Sequence, residues 1–431
     1  MTKGLLSLSF AICLALLAAA GGRPVFSAEE QFGPKGAAIV NPQVLEQVIT
    51  VGGPNADIAP FTSAAIQIAV DALKARGGGM VKLLSGTFDI KSPVRLANGI
   101  SLTGSGETTI LHKVNGYKSP FAVSADYGML NVTVQDAKGF EPGMGVSIYD
   151  PQGPGNWFVT TAVITRIEAN TLYIDNYLVT DYSPEHKGYV SNSCSIIEAV
   201  EAENVKIADL TIDGNRNTND RVGGCRSGGI YLHKARNCAV ENVEVKNFNG
   251  DGISWQITEQ ITVRNCRVHH CANFGLHPGT GSVQTTIEGC TVNNNGSDGL
   301  FLCWRVQHGA FRDNKIYSNG QYGISIGHKD TDNVFTGNHI YENAAHGVYF
   351  REENEENAGH RNTFTNNIVE NNGQKAPSFG FCIDGPVRDI IIRDNIIRDT
   401  GEGRQKGPFQ ISKSASNIKT TDNDIGGHVE P

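Results

Sequence analysis

From residue 229 to residue 353 the chain runs in short bursts of alternating apolar and polar residues, each opened by a glycine. Gly229-Ile230, Gly252-Ile253, Gly275-Leu276, Gly299-Leu300, Gly323-Ile324 and Gly347-Val348 follow one another at intervals of 23, 23, 24, 24 and 24 residues. A seventh copy, Gly380-Phe381, comes after a longer gap. Apolar residues hold the first and third places after the glycine: Ile230 and Leu232, Ile253 and Trp255, Leu300 and Leu302, Ile324 and Ile326, Val348 and Phe350. Period two marks a short strand with one face buried. Upstream of each glycine lies a second alternating stretch that often ends in Asn, as at Asn242, Asn265, Asn338 and Asn367. A unit this short cannot bury its apolar face alone, so the copies must stack. Strands without intervening helices predict an all-β, parallel β-helix solenoid, with equivalent Asn side chains hydrogen-bonded from coil to coil. Leucine-rich repeats and β-propellers are excluded, because neither the Leu-x-x-Leu-x-Leu pattern nor a longer blade is present.

The flanks complete the plan. Residues 64–76 (AAIQIAVDALKAR) place Ile66, Ala69, Val70 and Leu73 on one face, Thr62 or Ser63 can cap the start, and Gly77 to Gly79 end it. This predicts an α-helix capping the open end of the solenoid. Residues 29–121 hold an extended lead-in, this helix and the first coils. Residues 122–195 break the period and read as a small β-rich insertion. The main β-helix spans 196–425, and 426–431 form a tail. At the other end, Lys3 and an apolar run over 5–20 followed by small residues predict a secretory signal in 1–28, cleaved after Ala20 or Ala28, and hence a secreted or periplasmic protein. No second hydrophobic stretch predicts a membrane span.

Composition sharpens this picture in two places. Fifty glycines suit a chain with many tight turns. A net charge of −8 gives no basic footprint for nucleic acid. Cys266 and Cys290 occupy matching positions on successive coils, either as stacked buried thiols or within disulfide range. No Cys-x-x-Cys pair suggests zinc.

The segment 77–111, a glycine run, a hydrophobic strand, SGTFDI, another strand and GSG, resembles the N-terminal region of the pectate-lyase-like superfamily of secreted polysaccharide lyases, polygalacturonases and alginate-modifying enzymes. That resemblance, extended by the coils, implies a right-handed β-helix and a carbohydrate substrate. Residues 274–278, FGLHP, resemble the Tyr-Gly-Phe-Asp-Pro-His motif of alginate C5-epimerases, with His277 where that family has Asp and Gly279 where it has His.

Alternation places the second and fourth residues after each glycine outside the core. The second column reads Tyr231, Ser254, His277, Phe301, Ser325, Tyr349, Cys382, and the fourth His233, Gln256, Gly279, Cys303, Gly327, Arg351, Asp384. With Trp304, Arg305, His328, Lys329, Asp330, Glu352 and Glu353 at the strand edge, this predicts an outer ridge suited to a linear polysaccharide. Two groups are expected: His277 with Trp304 and Arg305, and His328, Lys329 and Asp330 beside Arg351, Glu352 and Asp384. In a β-elimination or C5-epimerisation of a uronate polymer, Arg351 or Lys329 would clamp the carboxylate. His328 or His277 would act as base, and Tyr349 or Tyr231 as acid. Catalysis is thus expected from His328, Lys329, Arg351, Glu352, His277 and Tyr349, and substrate binding from His233, Gln256, Trp304, Arg305 and Asp384. Ca²⁺ is the one cofactor with a candidate site, the acidic run 352–356. Hydrolysis would instead pair Glu352 or Glu353 with Asp384. Asp251 and Asp298, just before coil glycines, read as turn residues. The third reading is a non-catalytic polysaccharide-binding or adhesion module.

Overall fold

The structure is a computed structural model that describes residues 47–153, 156–401 and 404–426. The expected signal segment, the start of the lead-in and residues 427–431 of the tail lie outside the described residues. Three parallel sheets wind around one apolar core. In chain order around a coil, the first has twelve strands and runs from Val48–Val51 to Ser416–Thr421. The second has ten, from Gly86–Ile90 to Ile396–Arg398. The third also has ten, from Val94–Leu96 to Gln405–Ile411, and carries the glycine-opened strands. The chain is a parallel β-helix, as the spacing predicts. No helix among the described residues is long and apolar enough to cross a membrane.

Register is regular. Ile230 pairs with Ile253, Ile253 with Leu276, Leu276 with Leu300, Leu300 with Ile324, and Ile324 with Val348. All six are buried, so the first-position column is the core lining of the third sheet. Inside, Phe311, Phe335 and Phe364 stack with ring centroids 4.7 and 4.5 Å apart. Such contacts contribute about 0.5–1.5 kcal/mol each beyond burial.

The corners explain the Asn pattern. Between the first and second sheets each coil turns at a residue with positive φ: Asp209, Asn242, Asn265, Gly289, Asp313, Gly337, Asn366, Asp394 and Asp422. Asn, Asp and Gly tolerate that region best. The next residue points inward. It is apolar or Cys in early coils (Val243, Cys266, Cys290) and Asn in later ones. There the side-chain amides form a ladder: Asn314 donates to Asn338, Asn338 to Asn367 and Asn367 to Asn395, each at 2.9 Å. A second ladder joins Asn295, Asn319, Asn343, Asn372 and Gln405 at 3.0–3.1 Å. Asn338 and Asn367 therefore stack as expected, whereas Asn242 and Asn265 sit one place earlier, at the turn itself. Cys266 and Cys290 are free buried thiols in the place the ladder later takes over.

The helix spans Ser63–Lys74, with the Thr62 hydroxyl accepting from the Ala65 N–H at 3.2 Å. It stops before residue 76 because Gly77 and Gly78 turn at positive φ. Ile66, Ala69, Val70 and Leu73 join the core at this end of the coils. The irregular stretch folds as a six-stranded antiparallel sheet from Lys118–Pro120 to Tyr189–Ser191, with its own core around Phe121, Val146, Ile148, Leu172 and Val190.

The ladder yields a stability prediction. Asn338→Ala strands the Asn314 amide and backbone N–H that both donate to it. Unfolding in urea should show a loss of about 1–3 kcal/mol per stranded group. Asn242→Ala, at an exposed turn, should cost well under that; equal losses would contradict a ladder-specific role.

Candidate functional site

The second-position column of the third sheet is in register as expected over Tyr231, Ser254, His277, then Phe301, Ser325, Tyr349, Cys382, and Glu198 extends it by one coil. It is not an open ridge. Tyr231, Ser254, Gln256, His277, Ser325 and Cys382 are all buried. The segment 222–226 crosses over the early part, where Ser254 donates to the Gly224 carbonyl at 2.6 Å and Tyr231 to that of Cys225 at 2.7 Å. Arg226 is held from the insertion, over the Trp157 ring and on its carbonyl. Tyr231, with its hydroxyl spent on a carbonyl, is no free acid.

Asp251 and Asp298, read as turn residues, are buried members of the site. Each precedes a coil glycine, in a column that reads Asp251, Phe274, Asp298, Tyr322, His346, Phe379. Asp251 accepts from His277 Nδ1 at 2.6 Å. Burial opposes a charge on His277, but the bond to Asp251, with a smaller contribution from Cys303, pushes it up to about 9. His277 is thus a cation near neutrality and cannot serve as the base; nor does it meet Trp304 or Arg305. Its Nε2 lies 3.4 Å from the Gln256 amide nitrogen.

Asp298 accepts from the Tyr322 N–H at 3.2 Å. Burial raises its carboxyl to about 7, against the pull of that N–H and of Arg351. The Arg351 guanidinium donates to Ser325 Oγ and the Leu302 carbonyl at 2.8 Å, pairs with Asp330 at 3.3 Å and lies 4.6 Å over the Phe301 ring. Asp330 is buried, which lifts it to about 6 despite Arg351. The partner of Arg351 is therefore Asp330, not Glu352 or Asp384.

What remains open is aromatic. Phe274 stacks on Phe301 with centroids 4.0 Å apart, and Tyr322 on Tyr349 at 4.4 Å, with His346 beside both tyrosines. All five are partly exposed. Burial, followed by the nearby Asp384 carboxylate, pushes the Tyr349 hydroxyl up to about 12. Trp304 is 48 % exposed and stacks on His328 at 4.1 Å. His328 faces Glu353 at 3.4 Å and Lys329 pairs with Glu356 at 3.0 Å, so neither joins Arg351. Glu352 and Arg305 are exposed. His233 stacks on Tyr231 and is held down to about 4 by burial and Arg226.

The run 352–356 does not fit Ca²⁺. Glu353, Glu355 and Glu356 turn to His328, Arg388 and Lys329 respectively. Among the described residues no group of three or more His, Cys, Asp or Glu converges as a metal site.

Comparison with known proteins agrees with the architecture. Residues 195–357 match the family model described as the right-handed β-helix region. The A-module of a mannuronan C-5 epimerase from Azotobacter vinelandii is 16% identical, with 84% of this chain and 93% of that chain covered at a TM-score of 0.52. A polygalacturonase from Erwinia carotovora ssp. carotovora is 16% identical over 87% of this chain and 94% of its own, at 0.52. A protein titled glycoside hydrolase is 11% identical over 88% and 96%, at 0.54. At these identities the likeness is one of fold. No curated protein matches the sequence.

The raised Asp298 has a measurable sign. Unfolded, its carboxyl ionises near 3.8; folded, near 7. Between these values the folded state holds a proton that the unfolded state has released, so its share of stability is full below about 3.8 and is lost as pH rises toward 7. Asp298→Asn removes that dependence while keeping an acceptor for Tyr322. Its melting temperature relative to the parent should climb from pH 4 to pH 7 and level off above; a flat difference would refute the raised value.

Proposed function

Taking as premise that this chain is a right-handed parallel β-helix protein, we propose that it acts on an acidic, uronate-containing polysaccharide by β-elimination or C5-epimerisation. The observation that carries this reading is one fixed cation, Arg351, set in an aromatic platform beside a buried carboxyl whose proton is exchangeable near neutrality. The stacked faces of Phe274, Phe301, Tyr322 and Tyr349 suit the apolar faces of sugar rings. A uronate carboxylate over Arg351 loses its charge to the guanidinium, and the adjacent C5 proton becomes acidic. Arg351 is held by Ser325, Leu302 and Asp330, so little reorganisation is needed when the substrate arrives. Asp298, near 7, has the proton affinity suited to take or return that proton. Tyr349 keeps its hydroxyl proton to about 12, beside the Asp384 carboxylate, and is the donor for the leaving oxygen. His328, Lys329 and Glu352 act, if at all, at the rim, and Trp304 extends the sugar-facing surface there.

Glycoside hydrolysis is the second reading. It is favoured by the same Asp298, because a carboxyl protonated near neutrality is what a glycosidase acid requires. The structural likeness to a polygalacturonase and to an epimerase module is compatible with either chemistry.

A panel of uronate polymers separates the readings. Unsaturated product marks elimination, C5 hydrogen exchange with solvent without cleavage marks epimerisation, and new reducing ends without unsaturation displace both in favour of hydrolysis. Binding without turnover would leave a non-catalytic module. Arg351→Ala and Asp298→Asn should each lower kcat by about 10²–10³-fold. His328→Ala should change it little; a large loss there would move the chemistry to the rim.

A further inference from the structure

We propose that His346 is a fixed, uncharged hydrogen-bond donor that reads an oxygen of a sugar lying on the aromatic platform. The column before each coil glycine holds three polar side chains that do one structural job. Asp251 accepts the backbone N–H of Phe274 at 3.3 Å, and Asp298 that of Tyr322 at 3.2 Å. His346 accepts that of Phe379 through Nδ1 at 3.0 Å. A backbone N–H can only donate, so Nδ1 must present a lone pair. An imidazole with no proton on Nδ1 carries its ring proton on Nε2. The bond is braced from the same residue, because the Phe379 carbonyl takes the Gly347 N–H at 3.2 Å. An aspartate does this job alone at the two earlier coils. The histidine does it and adds a donor on the other side of its ring.

His360 shows how such a ring is completed when the protein supplies both partners. Its Nδ1 accepts the Arg388 N–H at 3.1 Å, and its Nε2 donates to the Glu355 carbonyl at 2.7 Å. His346 has the first of these bonds and, among the described residues, no protein acceptor for the second. Its Nε2 is not one of the buried polar atoms left without a partner, so it faces solvent. The ring is set among the aromatic side chains of the platform. Tyr322 lies 5.8 Å away with the planes 3° apart, Tyr349 5.7 Å away, and Phe379 6.2 Å away. Burial outweighs the nearby Asp384 carboxylate and holds the imidazole below its usual range, which agrees with the uncharged form that the Phe379 bond requires.

His346 and Arg351 belong to one coil, with Tyr349 between them. A chain whose carboxylate meets Arg351 therefore lays another of its sugars beside His346. There the Nε2–H calls for an oxygen lone pair, which a hydroxyl, ring or glycosidic oxygen supplies. A sugar with hydrogen or methyl at that place leaves the donor unpaired. The ring cannot turn to find another partner without breaking its bond to Phe379, so the mismatch is paid in affinity. His346 is thus a specificity residue for the sugar next to the clamped uronate. The sugar as ligand rests on the reading of the platform given above; the position of the ring proton does not.

The test uses the intact chain carrying isotope-labelled histidine, with the His346 signals assigned by their loss in His346→Asn. Asparagine keeps an acceptor for the Phe379 N–H, so the variant removes the donor and spares the fold. Near pH 7, proton–nitrogen NMR spectra should show His346 and His360 each protonated on Nε2 alone. Short oligomers of a uronate and of a neutral hexose are then added in turn. The His346 Nε2 signal should shift, while that of His360, already bonded to Glu355, should stay in place. By calorimetry His346→Asn should bind the responding oligomer about 5–10-fold more weakly than the parent. A proton on Nδ1 of His346, an Nε2 signal that no oligomer moves, or equal affinity in the variant would overturn the proposal. Should His346→Asn fail to fold, the NMR shifts in the parent decide alone. A response to the neutral oligomer and none to the uronate would uphold the donor and defeat the acidic-substrate reading, so the two failures are separately visible.

Discussion

Every feature of this molecule depends on the in-register hydrogen bonding of one coil to the next. Parallel pairing fixes the vertical spacing at about 4.8 Å and allows no slip without turning core residues outward. The corners enforce the register independently. A positive-φ turn residue followed by an inward residue recurs at the same place in coil after coil. The Asn ladders then tie those inward positions together, each amide using both its oxygen and its nitrogen. Burying an amide costs free energy unless it is fully paired. Here the repeat supplies the partner above and below, so a polar interior column becomes compatible with the core.

The same stacking concentrates charge where water is scarce. Asp251 is matched by His277 and Asp330 by Arg351. Among the described residues no cation lies at contact distance from Asp298. Burial therefore pushes it to about 7, against about 6 for Asp330, which has Arg351 as its partner. A site with two matched pairs and one odd carboxyl holds a proton it can exchange. The covering segment 222–226, pinned through Arg226 to Trp157 of the insertion, closes over Asp251 and His277.

Glycine does two different jobs along these strands. Those that open each coil are needed because a Cβ would strike the next coil; at Gly252 it would lie 2.7 Å from the Gly275 carbonyl oxygen. Gly279 and Gly327 are different. Their missing side chains are occupied by functional groups from the adjoining coil, so an absence in one repeat positions a donor from another. Substitution at either kind of position is costly, but for unrelated reasons.

The chain's own periodicity was enough to determine the solenoid, its capping helix and the columns of residues that share a face. These depend on spacing and alternation, which are local properties of a repeat. It also brought Arg351, Tyr349 and Asp384 to one surface. It did not distinguish Asn338 from Asn242, because one place along a turn separates an inward amide from an exposed one. Nor did it assign Asp251 and Asp298, whose own column, the residue before each glycine, lay alongside the two that alternation singled out. Only the tertiary structure decided that His277 faces a carboxylate, that His328 lies under Trp304 and that Arg351 folds back over Gly327. Side-chain direction and solvent access are set by what covers a strand, and here the cover comes from segments with no repeat to read.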